Sequence, residues 1–115
     1  MKYAKKQPQV YLEDMLGAIA RIGTYTQKGE HDFFTDEKTQ DAVIRQLSII
    51  GEASARLPKD MKDIHTDIPW KNIISMRNIM IHDYAQTDLP TVWNTIQKSL
   101  PTLQEAIERM LRELQ

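Results

Sequence analysis

The chain of 115 residues contains no cysteine. That excludes a disulfide scaffold, a thiol nucleophile and thiolate metal sites, and it fits a reducing compartment. Glycine is scarce, at four, and no strand-like alternation of apolar and polar residues occurs. No apolar run is long enough to span a membrane. The amino-terminal MKYAKKQPQVYLED has basic residues with no apolar segment behind them, so it does not read as a signal peptide. An excess of one charge is missing too: 15 Lys and Arg stand against 16 Asp and Glu. A general nucleic-acid coat is therefore not expected, and contact with RNA or DNA must come from a local patch. Internal repeats, low-complexity tracts, a phosphate-cradling glycine loop and a Ser-His-Asp arrangement are all lacking. His31 and His65 fall in polar loops far apart in sequence. With no His-x-x-x-His and no carboxylate cluster of metal-ligand spacing, no metal and no cofactor are expected. Glu13 with Asp14, and Asp36 with Glu37, lie near helix starts, where the helix dipole alone accounts for them. The expected location is the cytoplasm.

What is present is a set of apolar residues at helical spacing. The length suits one domain, read as residues 1–115, large enough to bury an ordinary core. A first segment runs from about Gln9 to Lys28 on a stripe of Leu12, Met15, Leu16, Ile19 and Ile22, with Gly29 as its stop. A second starts near Thr35 or Asp36, both good N-caps, and ends at Leu57 before Pro58. Val43, Leu47, Ile50 and Leu57 form its inner face. Arg45, Glu52 and Arg56 share a solvated face, with Glu52 and Arg56 as an i,i+4 pair. Gly51 stands mid-helix, where glycine costs up to about 1 kcal/mol relative to alanine. It therefore suggests close approach by another helix. Residues 58–69 read as a polar linker with a short helical turn at Met61–Ile64.

A third segment follows Asp67 and Pro69 and runs to about His82 or Tyr84. A fourth starts near Asp88 and Pro90. Its Val92, Trp93, Ile96, Leu100, Leu103, Ile107, Met110, Leu111 and Leu114 stay in phase through Pro101. It reads as one long helix with a proline kink. The fold class is all-α: four amphipathic helices in an up-down bundle.

Polar chemistry concentrates in SMRNIMIHDYAQTD, residues 75–88. On an α-helical wheel, Trp70, Ile73, Ile74, Met80 and Ile81 share one side, with Arg77 and Tyr84 in its middle. Lys71, Ser75, Asn78 and His82 fall opposite. An unpaired buried guanidinium is costly. Two readings of Arg77 follow. It snorkels or pairs with a buried carboxylate, or it faces a cleft or subunit contact and meets an anion. His82 alone is weak evidence of a site, although an ordinary histidine titrates near neutral pH. Arginine with histidine is nevertheless a sufficient kit for metal-free RNA cleavage. A base removes the ribose 2′-OH proton, an acid protonates the leaving oxygen, and a fixed cation stabilises the crowded phosphate. Five residues place Arg77 and His82 about 140° apart on an ideal helix. Either the helix distorts near its end or two chains build the site, as a twofold dimer would allow.

Arg77-Asn78-Ile79-Met80-Ile81-His82-Asp83-Tyr84 reads as Arg-Asn-x3-His-x-Tyr. It resembles the signature of the HEPN superfamily, and more closely its HepT-type branch, with Arg-x4-His-x-Tyr. YLEDMLGAIARI, TQDAVIRQLSIIGEASARLP, IPWKNIISMRNIMIHDY and LPTVWNTIQKSLPTLQEAIERML resemble that family in order and spacing. The resemblance implies a single HEPN-like helical domain that forms a homodimer, with the Arg/His motifs meeting at the interface. It implies a metal-independent endoribonuclease toxin with Arg77 and His82 catalytic and Asn78 auxiliary. It implies a partner, a minimal nucleotidyltransferase antitoxin of the MntA kind, able to transfer AMP to Tyr84. The substrate is RNA, and no membrane is involved. A second function keeps the fold and drops the chemistry: a non-catalytic accessory subunit that binds and positions substrate for the nucleotidyltransferase. A purely structural helical dimer is a third, and it leaves Arg77 unexplained.

Overall fold

A computed structural model of the chain describes residues 7–78 and 88–115. Every regular element among them is helical. Helix α1, Pro8–Tyr25, opens with proline in its first turn, where the missing N–H costs nothing. It stops short of Lys28. The Thr26 hydroxyl donates to the Ile22 carbonyl at 2.8 Å, and the chain turns through residues 26–28. Gly29 does not cap α1. Its φ of 96°, a value most side chains disfavour, starts a helix that the sequence reading did not contain. This is α2, Glu30–Thr35. Its Phe33 is fully buried, with ring centroids 5.3 Å from Phe34 and 5.2 Å from Trp93. Six residues are too few to show a period, so the pattern in the sequence missed it.

Helix α3, Glu37–Arg56, matches its expected bounds. The Asp36 carboxylate accepts from the Lys38 N–H at 3.1 Å and from the Thr39 hydroxyl at 3.0 Å. At the other end, the Lys62 ammonium donates to the carbonyls of Ser54 at 3.1 Å and Ala55 at 3.4 Å. A cation on the last carbonyls satisfies orphan acceptors and the helix dipole together. Burial there pushes the Lys62 ammonium below its ordinary range. Lys62 belongs to α4, Lys59–Ile64, which contains the turn expected at Met61–Ile64. The Trp70 indole N–H, donating to the carbonyls of Lys62 (3.1 Å) and His65 (3.0 Å), then fixes where α5 begins.

Helix α5, Trp70–Ser75, gives way to a 3₁₀ turn over Met76–Asn78. Expectations for Ile79 to Tyr84 lie outside the described residues. The fourth segment opens as α6, Leu89–Asn94, capped by the Asp88 carboxylate on the Thr91 N–H at 3.2 Å. Hydrogen bonds from the Thr91 side chain and backbone hold the Asp88 carboxyl below its usual range. A π turn over Thr95–Ser99 leads into α7, Leu100–Glu113. The chain stays helical through Pro101, and a widened turn accommodates the proline. Leu114 leaves the expected stripe, 46% exposed, because the helix has ended.

Helix α3 is central. It packs along α1 on one side and against α5 and the 3₁₀ turn on another, while α7 lies against α1. One continuous core collects Leu12, Met15 and Ile22 of α1, Val43, Leu47 and Ile50 of α3, and Leu103, Ile107 and Met110 of α7. Fully burying each such side chain is worth about 1.5–3 kcal/mol. Ser54 is also buried there, its hydroxyl donating to the Ile50 carbonyl at 2.8 Å.

A candidate RNA-cleaving site at the glycine contact

The contact that positions Arg77 begins at Gly51. A Cβ built on Gly51 would strike the Arg77 backbone nitrogen, and would lie 3.0 Å from the Ile74 carbonyl oxygen and 3.1 Å from Arg77 Cα. Only a residue without a side chain permits this approach of α3 to the 3₁₀ turn. The close approach expected from a mid-helix glycine is therefore present, and it falls on the backbone of Arg77 itself. One helical turn earlier, the Ser48 hydroxyl donates to the Arg77 carbonyl at 3.4 Å. Helix α3 thus holds Arg77 by its backbone, and the side chain extends past it.

That side chain does not sit in an apolar interior. It is 44% exposed. The α-helical wheel fails here because each residue of a 3₁₀ turn advances about 120°, not 100°. The turn carries Arg77 away from buried Ile73 and into a cleft of about 490 Å³, lined by Arg45, Ser48, Ile49, Glu52, Arg77 and Asn78. The face of α3 assigned to solvent in the sequence is therefore one wall of this cleft. Sequence reading missed Arg45, Ser48 and Glu52 as its members. Their spacing along α3 was the available signal, but only the Gly51 contact says which element lies opposite.

Glu52 is the one acid among the described residues that line the cleft. Its Oε2 accepts from Arg56 Nη2 at 3.0 Å and from Arg56 Nε at 3.1 Å. The expected i,i+4 pair is present. The Glu52 carboxylate, with a smaller contribution from Tyr11, holds the Arg56 guanidinium above its ordinary range. The other oxygen, Oε1, lies 4.0 Å from Arg77 Nη1. That is beyond hydrogen-bond reach, and an exposed pair of this kind is worth about 0–1 kcal/mol. Arg77 is oriented by an acid without being consumed by it. Among the described residues, no three His, Asp or Glu gather closely enough to hold a metal ion.

Comparison with known proteins supplies the class of chemistry. The family described as "Ribonuclease HepT-like" matches residues 15–110. The chain is 41% identical over 107 residues to "Probable ribonuclease HepT" of Thermococcus cleftensis, covering 92% of this chain and 97% of that protein. The chain belongs to the HepT-like ribonuclease family. Membership classes it as an endoribonuclease of the HEPN type. It is also 41% identical over 111 residues to "Gamma-glutamylcyclotransferase and putative RNase" of Methanocaldococcus jannaschii. That match covers 96% of this chain and only 50% of the relative, so the chain spans about half of that longer protein. No solved structure matches the chain. For a HepT-like ribonuclease, an exposed guanidinium with a weak internal partner is a group with spare capacity for a phosphate oxygen. Asn78 shares the cleft and adds an amide donor. His82, Asp83 and Tyr84 lie outside the described residues. No helix among those described is long and apolar enough to cross a membrane.

Proposed function

We propose that this chain is a metal-independent endoribonuclease that acts as the toxin of a toxin–antitoxin pair, with Arg77 and His82 as catalytic residues. The observation that carries the reading is Arg77: its backbone is docked on α3 at Gly51 while its guanidinium opens onto the cleft. His82 removes the proton from the ribose 2′-OH, and that oxygen attacks the adjacent phosphorus. The bond from phosphorus to the 5′-oxygen breaks. The departing oxygen takes a proton from the partner acid, leaving a 2′,3′-cyclic phosphate and a 5′-hydroxyl. Arg77 stabilises the charge on the crowded phosphate, and Asn78 orients it. The single domain works as a homodimer of up-down helical bundles in the cytoplasm, and the second copy's His82 completes each acid–base pair. Exposure of Arg77 supports this arrangement, since its face is left open in one copy.

Tyr84 is the modification site. A nucleotidyltransferase antitoxin of the MntA kind transfers AMP to its hydroxyl with release of pyrophosphate from ATP. The added phosphodiester brings a negative charge beside a site that must attract phosphate. Three measurements test the proposal. The dimer should appear by light scattering without RNA. Purified protein should cut single-stranded RNA in excess EDTA, and His82→Ala and Arg77→Ala should each lose on the order of 10²-fold or more in rate. Tyr84→Phe should cut at near wild-type rate yet escape the partner. Cleavage abolished by EDTA, or either alanine variant cutting normally, removes the catalytic assignment. AMP found on another residue removes the regulatory one.

A further inference from the structure

We propose that Arg45 is a phosphate-binding residue for single-stranded RNA, holding the backbone phosphate next to the one engaged by Arg77. The inference rests on reading the cleft as the cleavage site and adds to it a substrate contact outside the Arg-x4-His-x-Tyr motif. Arg45, Ser48, Ile49 and Glu52 fall at i, i+3, i+4 and i+7 along α3, so they form one stripe. That stripe is the wall facing Arg77 and Asn78. Arg45 is exposed and has no ion pair among the described residues. Glu52, the only acid among the described residues of the wall, is already bonded to Arg56 through one oxygen. Among the described residues, two cations therefore share a concave surface with one partly occupied carboxylate. In a chain whose formal net charge is −1, this is a local positive patch of the kind an RNA-cutting protein needs.

Spacing fits a strand better than a single anion. Arg45 stands six residues before Gly51, so about 9 Å along α3 at 1.5 Å per residue. Both side chains are long, and between them they span successive phosphates of one unstacked strand. Ile49, half-buried in the same wall, offers an apolar floor for a sugar or base. The Ser48 hydroxyl is engaged with the Arg77 carbonyl, so it anchors the wall and leaves phosphate to the guanidinium groups.

The test measures binding of a short random-sequence 2′-O-methyl RNA, which lacks the attacking hydroxyl, across a salt series, together with cleavage kinetics on unmodified RNA. In a single-strand complex each phosphate contact adds about 0.7 to the steepness of log K against log salt. Arg45→Ala should reduce that steepness by about 0.7 and raise KM roughly three- to tenfold near 0.1 M salt, with kcat within about twofold of wild type. Arg45→Lys, which keeps the charge, should restore the salt dependence. Lys59→Ala removes one charge outside the cleft and should change neither quantity. An Arg45→Ala protein with wild-type salt dependence and KM overturns the assignment while leaving the cleavage reading intact. A fall in kcat at constant KM overturns it as well. Wild-type protein that neither binds nor cuts RNA overturns both.

Discussion

Toward α1, helix α3 presents large apolar side chains; toward the 3₁₀ turn it presents the bare backbone of Gly51 flanked by the Ser48 hydroxyl. On the first side α3 packs along α1, and Val43, Leu47 and Ile50 share one buried core with Leu12, Met15 and Ile22. On the second, the peptide groups of Ile74 and Arg77 rest directly on Gly51. The two contacts serve different ends. Close-packed side chains supply most of the stability and tolerate swaps of similar volume. Backbone seated on backbone leaves no side chain to repack, so it sets the position of one residue and exposes that position to small errors.

The comparison predicts that the two sides fail differently when mutated. The largest loss of stability should come from Leu12→Ala on the α1 side. Removing a fully buried leucine costs about 2–5 kcal/mol, read from urea unfolding, while cleavage per folded molecule stays near wild type. Equal losses of activity and stability would mean that the two contacts are not separable. Gly51→Ala should invert the pattern. The new methyl meets the Arg77 backbone nitrogen, so the 3₁₀ turn must move. Misplacement by about 1 Å can cost on the order of 10²-fold in rate. The stability change should be smaller, because overpacking of about 1–3 kcal/mol is offset by about 1 kcal/mol of helix propensity. Wild-type activity in Gly51→Ala would show that the close approach does not aim Arg77. The smallest effect belongs to Glu52→Gln. It removes a carboxylate 4.0 Å from Arg77, so RNA affinity should rise by no more than about fivefold, and the gain should shrink with added salt. A large loss of activity would make Glu52 a participant in the chemistry.

Much of this architecture could be read along the chain, and the exceptions have physical causes. The stripes of α1, α3 and the last helix were legible because each repeats over several turns. Asp36 and Asp88 announced their helices through capping chemistry. Helix α2 escaped because its single buried aromatic has no periodic neighbours. Gly51 could be recognised as a point of approach, but a glycine does not say what approaches it. Arg77 was visible as an anomaly on an α-helical wheel, and its true exposure depended on a change of helix type that no periodicity reports. Arg45 looked like an ordinary solvated charge because its significance lies in what stands across the cleft.

The widened turn at Thr95–Ser99 has a consequence of its own. Val92, Ile96 and Leu100 are four apart, and on a regular α-helix a run of fours drifts steadily around the axis. Leu103, Ile107 and Met110 then resume mixed steps of four and three. A turn holding more residues than usual takes up that drift, so Ile96 and Leu100 are both buried. The π turn works as a vernier. It realigns two rulers of different pitch where the fixed ring of Pro101 would otherwise throw the second half of the helix out of step with the first.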